Sequence, residues 1–125
     1  MRVFALAFAI VTALAAAAAA QHGHGSKGPN GGPMEDIAGV HAELITSGNT
    51  IAINILDEGS KPVSAKGYSG SVLIVTGAAR ETVTLEPSGD SALKGEAKAP
   101  IAASSVVSLV LKTGAGKSGQ VRFKR

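Results

Sequence analysis

Short apolar runs, some alternating with polar residues and some continuous, fill the chain from about residue 40 to its end. The clearest run covers residues 50–56, where Ile51, Ile53 and Ile55 fall on one face of an extended chain. The pattern predicts seven strands, at residues 41–45, 50–56, 71–76, 81–86, 92–97, 105–112 and 120–124.

Residues typical of turns separate these runs at intervals of about ten residues. Residues 57–62 and 87–90 combine Gly, which adopts positive φ, with Pro, which cannot occupy a central strand. No window after residue 20 shows a helical period. We therefore predict an all-β fold, a small antiparallel immunoglobulin-like β-sandwich over residues 37–125. A five-stranded barrel is the alternative if two of the weaker strands are loops.

The first twenty residues have the composition of a secretory signal peptide. Arg2 supplies a positive start, residues 3–15 are mostly apolar, and residues 17–20 are alanines that suit signal peptidase. The apolar run is shorter than the ~20 residues that a membrane span needs. We therefore predict a cleaved signal peptide at residues 1–20, periplasmic localisation and no stable membrane insertion after cleavage. An uncleaved N-terminal anchor is the alternative.

Composition limits the classes of partner. Removal of the signal peptide lowers the formal net charge from +3 to +2, because Arg2 is its only charged residue. So small an excess does not predict binding to nucleic acid or another polyanion. The chain has no Cys, so it has neither disulfides nor thiolate ligands for a metal. One Tyr, three Phe and no Trp leave few platforms on which bases or sugars could stack.

Residues 21–36 are rich in Gly, Pro and His and are predicted to form a flexible leader. His22 and His24 lie in this leader, next to the predicted cleavage site. Cleavage after Ala20 makes His22 the second residue, and cleavage after Ala19 makes it the third. In either position the terminal amine, backbone amide nitrogen and imidazole can bind copper(II) in a square plane. A chance pair of histidines in a leader is the alternative.

His41 lies at the start of the first predicted strand, and Glu43 is two residues further along the same face. The leader is long enough to bring His22 or His24 to His41. Met34, between them in the chain, offers a thioether suited to copper(I). The candidate metal ligands are therefore His22, His24, His41 and Met34, with copper as the predicted metal and zinc or nickel as alternatives. The competing interpretation places His41 at a strand end and packs Met34 on the sheet.

No arrangement of residues predicts an enzyme. Residues 114–118 read Gly-x-Gly-Lys-Ser, but a phosphate-binding loop needs Gly at position 111, where the chain has Leu111, and a helix afterwards. The carboxylates are scattered over turns and outer strand faces, so none forms an acid and base pair. No Gly-x-Ser-x-Gly sequence is present. We predict a non-enzymatic protein.

The sequence Gly-Pro-Asn-Gly-Gly at residues 28–32 is followed by His-Ala-Glu-Leu at residues 41–44. This combination resembles the N-terminal region of periplasmic adaptor subunits of heavy-metal efflux pumps, and small free-standing periplasmic proteins of similar pattern. The resemblance continues through residues 56–63 and 83–90, and so covers most of the chain after the signal peptide.

The resemblance implies a short β domain after a His-rich leader, and transition-metal handling at the cell envelope. His22, His24 and His41 are the matching histidine positions. We therefore predict a periplasmic carrier or buffer for copper or a similar divalent ion, with an efflux component of the envelope as a further partner. The alternative is a β-sandwich that binds another envelope protein and whose histidines are incidental.

Overall fold

A computed structural model of the chain describes residues 26–125. These residues contain no helix, and therefore none long and apolar enough to cross a membrane. They form nine strands: β1 (Ser26–Lys27), β2 (Pro33–Ile37), β3 (Val40–Ser47), β4 (Thr50–Leu56), β5 (Ser69–Thr76), β6 (Ala79–Ser88), β7 (Ala92–Glu96), β8 (Val106–Lys112) and β9 (Ser118–Phe123).

The nine strands form one antiparallel sheet in the order β1-β2-β3-β4-β7-β6-β5-β8-β9. Strand β6 joins its two halves, because Ala79–Leu85 pairs with β5 and Glu86–Ser88 pairs with β7. We call β1-β2-β3-β4-β7 the first half and β6-β5-β8-β9 the second half. The sheet curls so that β9 contacts β2. At this contact Gly119 lies so close to Ile37 that a Cβ at residue 119 would be 2.9 Å from the Ile37 side chain.

The apolar side chains on the concave faces of both halves form one core. Ile51, Ile53 and Ile55 of β4 are fully buried, as their alternation in the sequence predicts. Leu109 and Leu111 of β8 contribute from the second half and are equally buried. The outer face of each half is the one opposite this core.

The predicted all-β class is confirmed, and each of the seven predicted strands coincides with one of the strands β3 to β9. The sheet also begins earlier than predicted, because β1 and β2 pair within the segment that we expected to be a leader. The residues of β2 do not alternate, so the sequence pattern missed this strand. The predicted signal peptide at residues 1–20 lies outside the described residues.

A tight hairpin joins β2 to β3. Ile37 and Val40 pair across a two-residue turn, in which Ala38 has a φ of 51° and Gly39 a φ of 84°. Two successive residues with positive φ are what a type I′ turn requires, and Asn-Gly or Gly-Gly is its usual sequence. Because the first turn position is Ala instead of Asn or Gly, the sequence does not predict this hairpin.

Candidate functional site

The loop between β1 and β2 is fastened to the outer face of β3 by one carboxylate. The backbone N–H of Asn30 donates to Oε2 of Glu43 at 2.8 Å, and its side-chain amide donates to Oε1 at 2.8 Å. The backbone N–H of Gly32 donates to Oε2 at 3.1 Å, and the Asn54 amide on β4 donates to Oε1 at 3.4 Å. Glu43 therefore connects three segments: the loop, β3 and β4.

The glycines of this loop allow it to lie flat on the sheet. A Cβ at Gly28 would overlap the Glu43 carboxyl group, and a Cβ at Gly32 would overlap the backbone oxygen of Leu44. The loop also closes on itself, since the N–H of Gly28 donates to the Gly32 oxygen at 2.8 Å. Glu43 is fully buried beneath it, and a buried carboxylate of this kind needs several donors to offset its lost hydration. The Gly-Pro-Asn-Gly-Gly sequence thus allows the loop to pack closely on β3 and to donate hydrogen bonds to Glu43.

His41 pairs with Asp36 next to this anchored loop. The two residues are direct partners across β2 and β3. They form the second residue pair from the Ala38–Gly39 turn, next to the pair of Ile37 and Val40. Nδ1 of His41 is enclosed and lies against Oδ1 of Asp36, but it has no hydrogen-bond partner among residues 26–125. The His41 side chain is 21% exposed and that of Asp36 65% exposed, so the pair is at the surface. A carboxylate on Nδ1 leaves Nε2 as the ring nitrogen that can bind a metal.

Met34 lies on the same outer face as His41 and Asp36. It pairs with Glu43, and Glu43 is two residues from His41 along β3, so Met34 and His41 are diagonal neighbours. Met34 is half-buried, in a strand rather than in a leader. The structure therefore brings together two of the four predicted metal ligands, Met34 and His41. The other two, His22 and His24, lie outside the described residues.

Within residues 26–125 no group of three or more His, Asp or Glu side chains is arranged to hold a metal ion. Glu43 lies on the same face as His41, as predicted, but its carboxylate binds the loop instead of joining His41. Asp36 was not among the predicted site residues. If Ala38–Gly39 is identified as a two-residue hairpin turn, the register of the hairpin places Asp36 directly opposite His41.

Comparisons of the chain with protein-family models, with curated proteins and with solved structures found no match.

Proposed function

We propose that this protein is a periplasmic transition-metal carrier or buffer whose folded part supplies His41 as a ligand. The observation that carries the proposal is the pairing of His41 with Asp36 on an exposed sheet face beside Met34. Histidines that bind metals usually donate the other ring N–H to a carboxylate, which fixes the tautomer and makes the ligating nitrogen more basic. Asp36 is placed to do this for His41, and the Met34 thioether adds a soft donor nearby.

The register of β1 supports a contribution from the chain before residue 26. Ser26 pairs with Met34, and Lys27 with Pro33. Each residue added before Ser26 in this register would lie opposite the next residue of β2, so position 24 would face Asp36. If metal binding lengthens β1 by two residues, His24 and His41 would flank Asp36 from the two neighbouring strands.

The proposal is tested by titrating the exported protein with copper(II) and zinc(II) in a calorimeter, after intact mass has fixed its N-terminus. Stoichiometric binding of one of these ions tighter than about 1 μM, or roughly −8 kcal/mol, is expected. Replacing His41 with Ala should weaken binding at least tenfold. Replacing both His22 and His24 with Ala should do the same while the circular dichroism spectrum stays unchanged. Wild-type binding weaker than 1 mM, roughly −4 kcal/mol, would rule the proposal out.

A matched substitution separates the role of Asp36 from a general loss of negative charge. Asp36→Asn should lower the affinity about tenfold or more, because the amide orients His41 less well than the carboxylate. Asp90→Asn removes the same charge from the turn between β6 and β7 and should leave the affinity unchanged. Equal effects of the two substitutions would show that Asp36 does not orient a ligand.

We further propose that the two halves of the curled sheet face each other as the layers of an immunoglobulin-like β-sandwich. The single core cluster supports this, because it draws buried apolar residues from both halves. The export signal at residues 1–20 belongs to the same proposal, and the intact mass that precedes the titration tests it directly.

A further inference from the structure

The outer face of the second half has an apolar centre. Among residues 26–125 the large apolar side chains that are exposed are Val106 and Val110, at 38% and 47%, and both lie on the outer face of β8. Leu73 and Val75 of the adjacent β5 lie on the same face and are half-buried. Val75 pairs directly with Val106, and Val110, which pairs with Ser71, is a diagonal neighbour of Leu73. A patch of this kind at the surface marks a site of interaction.

Three cationic side chains surround this apolar centre. Arg80 is exposed on β6 opposite Val75, Lys112 is exposed at the end of β8, and Arg122 is exposed on β9 opposite Ser108. The remaining outward residues on the paired positions of β5, β6, β8 and β9 are Ser, Thr and Gln, and none is acidic. This part of the surface is therefore positively charged, because no acidic side chain at these paired positions neutralises the three cations.

The exposed acidic residues on the outer sheet surface lie on the first half or where β6 pairs with the first half. Asp36 and Glu96 point to the outer face of β2 and β7, and Glu86 points outward where β6 pairs with β7, opposite Lys94. The two outer faces of the curled sheet thus differ in charge. The face of the second half would repel a second copy of itself, and its complement is an anionic surface with an apolar layer beneath the charges.

We propose that the outer face of the second half is a docking surface for a bilayer that contains anionic phospholipid. Four strands and four rows of outward residues give a face of roughly 500 Å². This is below the ~800 Å² that each partner buries in a standard protein–protein interface. Lipid binding needs no single large interface, because cations near anionic headgroups and a few buried aliphatic groups add their contributions. The proposal is independent of metal binding.

The test is sedimentation of the exported protein with vesicles in a buffer that contains a metal chelator. Vesicles of phosphatidylglycerol mixed with phosphatidylcholine should bind the protein, and vesicles of phosphatidylcholine alone should not. Binding should decline as salt rises from about 0.1 M to 1 M, because the screening length shortens from ~10 Å to ~3 Å. Equal binding to both vesicles, or no binding to either, would overturn the proposal.

Charge reversals on the two faces provide a matched pair of variants. Arg122→Glu should reduce the partition coefficient about tenfold, because it removes one attraction to the headgroups and adds a repulsion. Lys94→Glu changes the net charge by the same amount on the first half and should have little effect. Val106→Ser with Val110→Ser should also weaken binding, and thermal melts of all variants show that they remain folded. Equal loss in Arg122→Glu and Lys94→Glu would mean attraction of the whole molecule, not of this face, and would contradict the proposal.

Discussion

Asn30 donates two hydrogen bonds to Glu43, one from its backbone N–H to Oε2 and one from its side-chain amide to Oε1, each 2.8 Å long. The two residues are thirteen positions apart in the chain. This double contact fixes the loop that precedes β2 and thereby the edge of the sheet on which the candidate metal ligands lie.

Replacing Glu43 with Ala should lower the free energy of unfolding by about 3 kcal/mol or more, because it leaves buried N–H donors without an acceptor. Glu43→Gln should cost less, since one oxygen remains, although its new amide group opposes the donors around it. Urea unfolding followed by circular dichroism measures both effects. Glu58→Gln, at an exposed turn position, is the control and should change stability by less than about 0.5 kcal/mol. A loss equally small in the Glu43 variants would show that the hydrogen bonds to the carboxylate contribute little.

Gly32→Ala should also destabilise the protein, because the new Cβ would overlap the backbone oxygen of Leu44, which cannot move without disturbing β3. A cost of about 1–3 kcal/mol is expected in urea unfolding. The neighbouring Gly31 offers a control, since its φ of 81° suits Asn and no atom lies within 4 Å of the position of a Cβ. Gly31→Asn should therefore be tolerated. If it proves as costly as Gly32→Ala, the close approach at Gly32 is not what matters.

A core substitution should distinguish the inner face of the sheet from its outer face. Leu93 of β7 is fully buried, so Leu93→Ala should lower the free energy of unfolding by about 2–5 kcal/mol. Val110 is 47% exposed, and Val110→Ala should lower it by less than about 0.5 kcal/mol. A large cost for Val110→Ala would place this side chain in the packing of the folded monomer and remove it from the surface patch.

Metal affinity should fall with pH, because imidazole binds a metal only when it is neutral. Copper(II) affinity should decrease steeply below about pH 6. His41→Ala should make this decrease shallower, since one proton fewer competes with the metal. Calorimetric titrations at several pH values measure the slope. An unchanged slope in His41→Ala would exclude His41 from the ligands.

Apolar runs bounded by turn residues, alternating in β4 and continuous in β5, were sufficient to predict β3 to β9. The weak strand β7 followed the same rule. The edge strands β1 and β2 could not be predicted in this way. Their place in the sheet depends on a carboxylate eleven to thirteen residues further along the chain and on a hairpin turn with Ala at positive φ.

The candidate site was predicted only in part for the same reason. Residue types alone singled out His41 and Met34, and the sheet places both on one face. The contact between His41 and Asp36 depends on the register across the Ala38–Gly39 turn, which is a tertiary property. Glu43 is predicted correctly to lie on the face of His41, but its binding partners depend on how the loop folds back over β3, which is also a tertiary property.

Strand β6 carries hydrogen bonds to both halves of the sheet along its ten residues, first to β5 and then to β7. The two halves can therefore separate only if β6 releases its hydrogen bonds to one of them. Amide protons of β5 and β7 should consequently exchange with solvent in the same opening event, and the protein should lose both halves together as one cooperative unit.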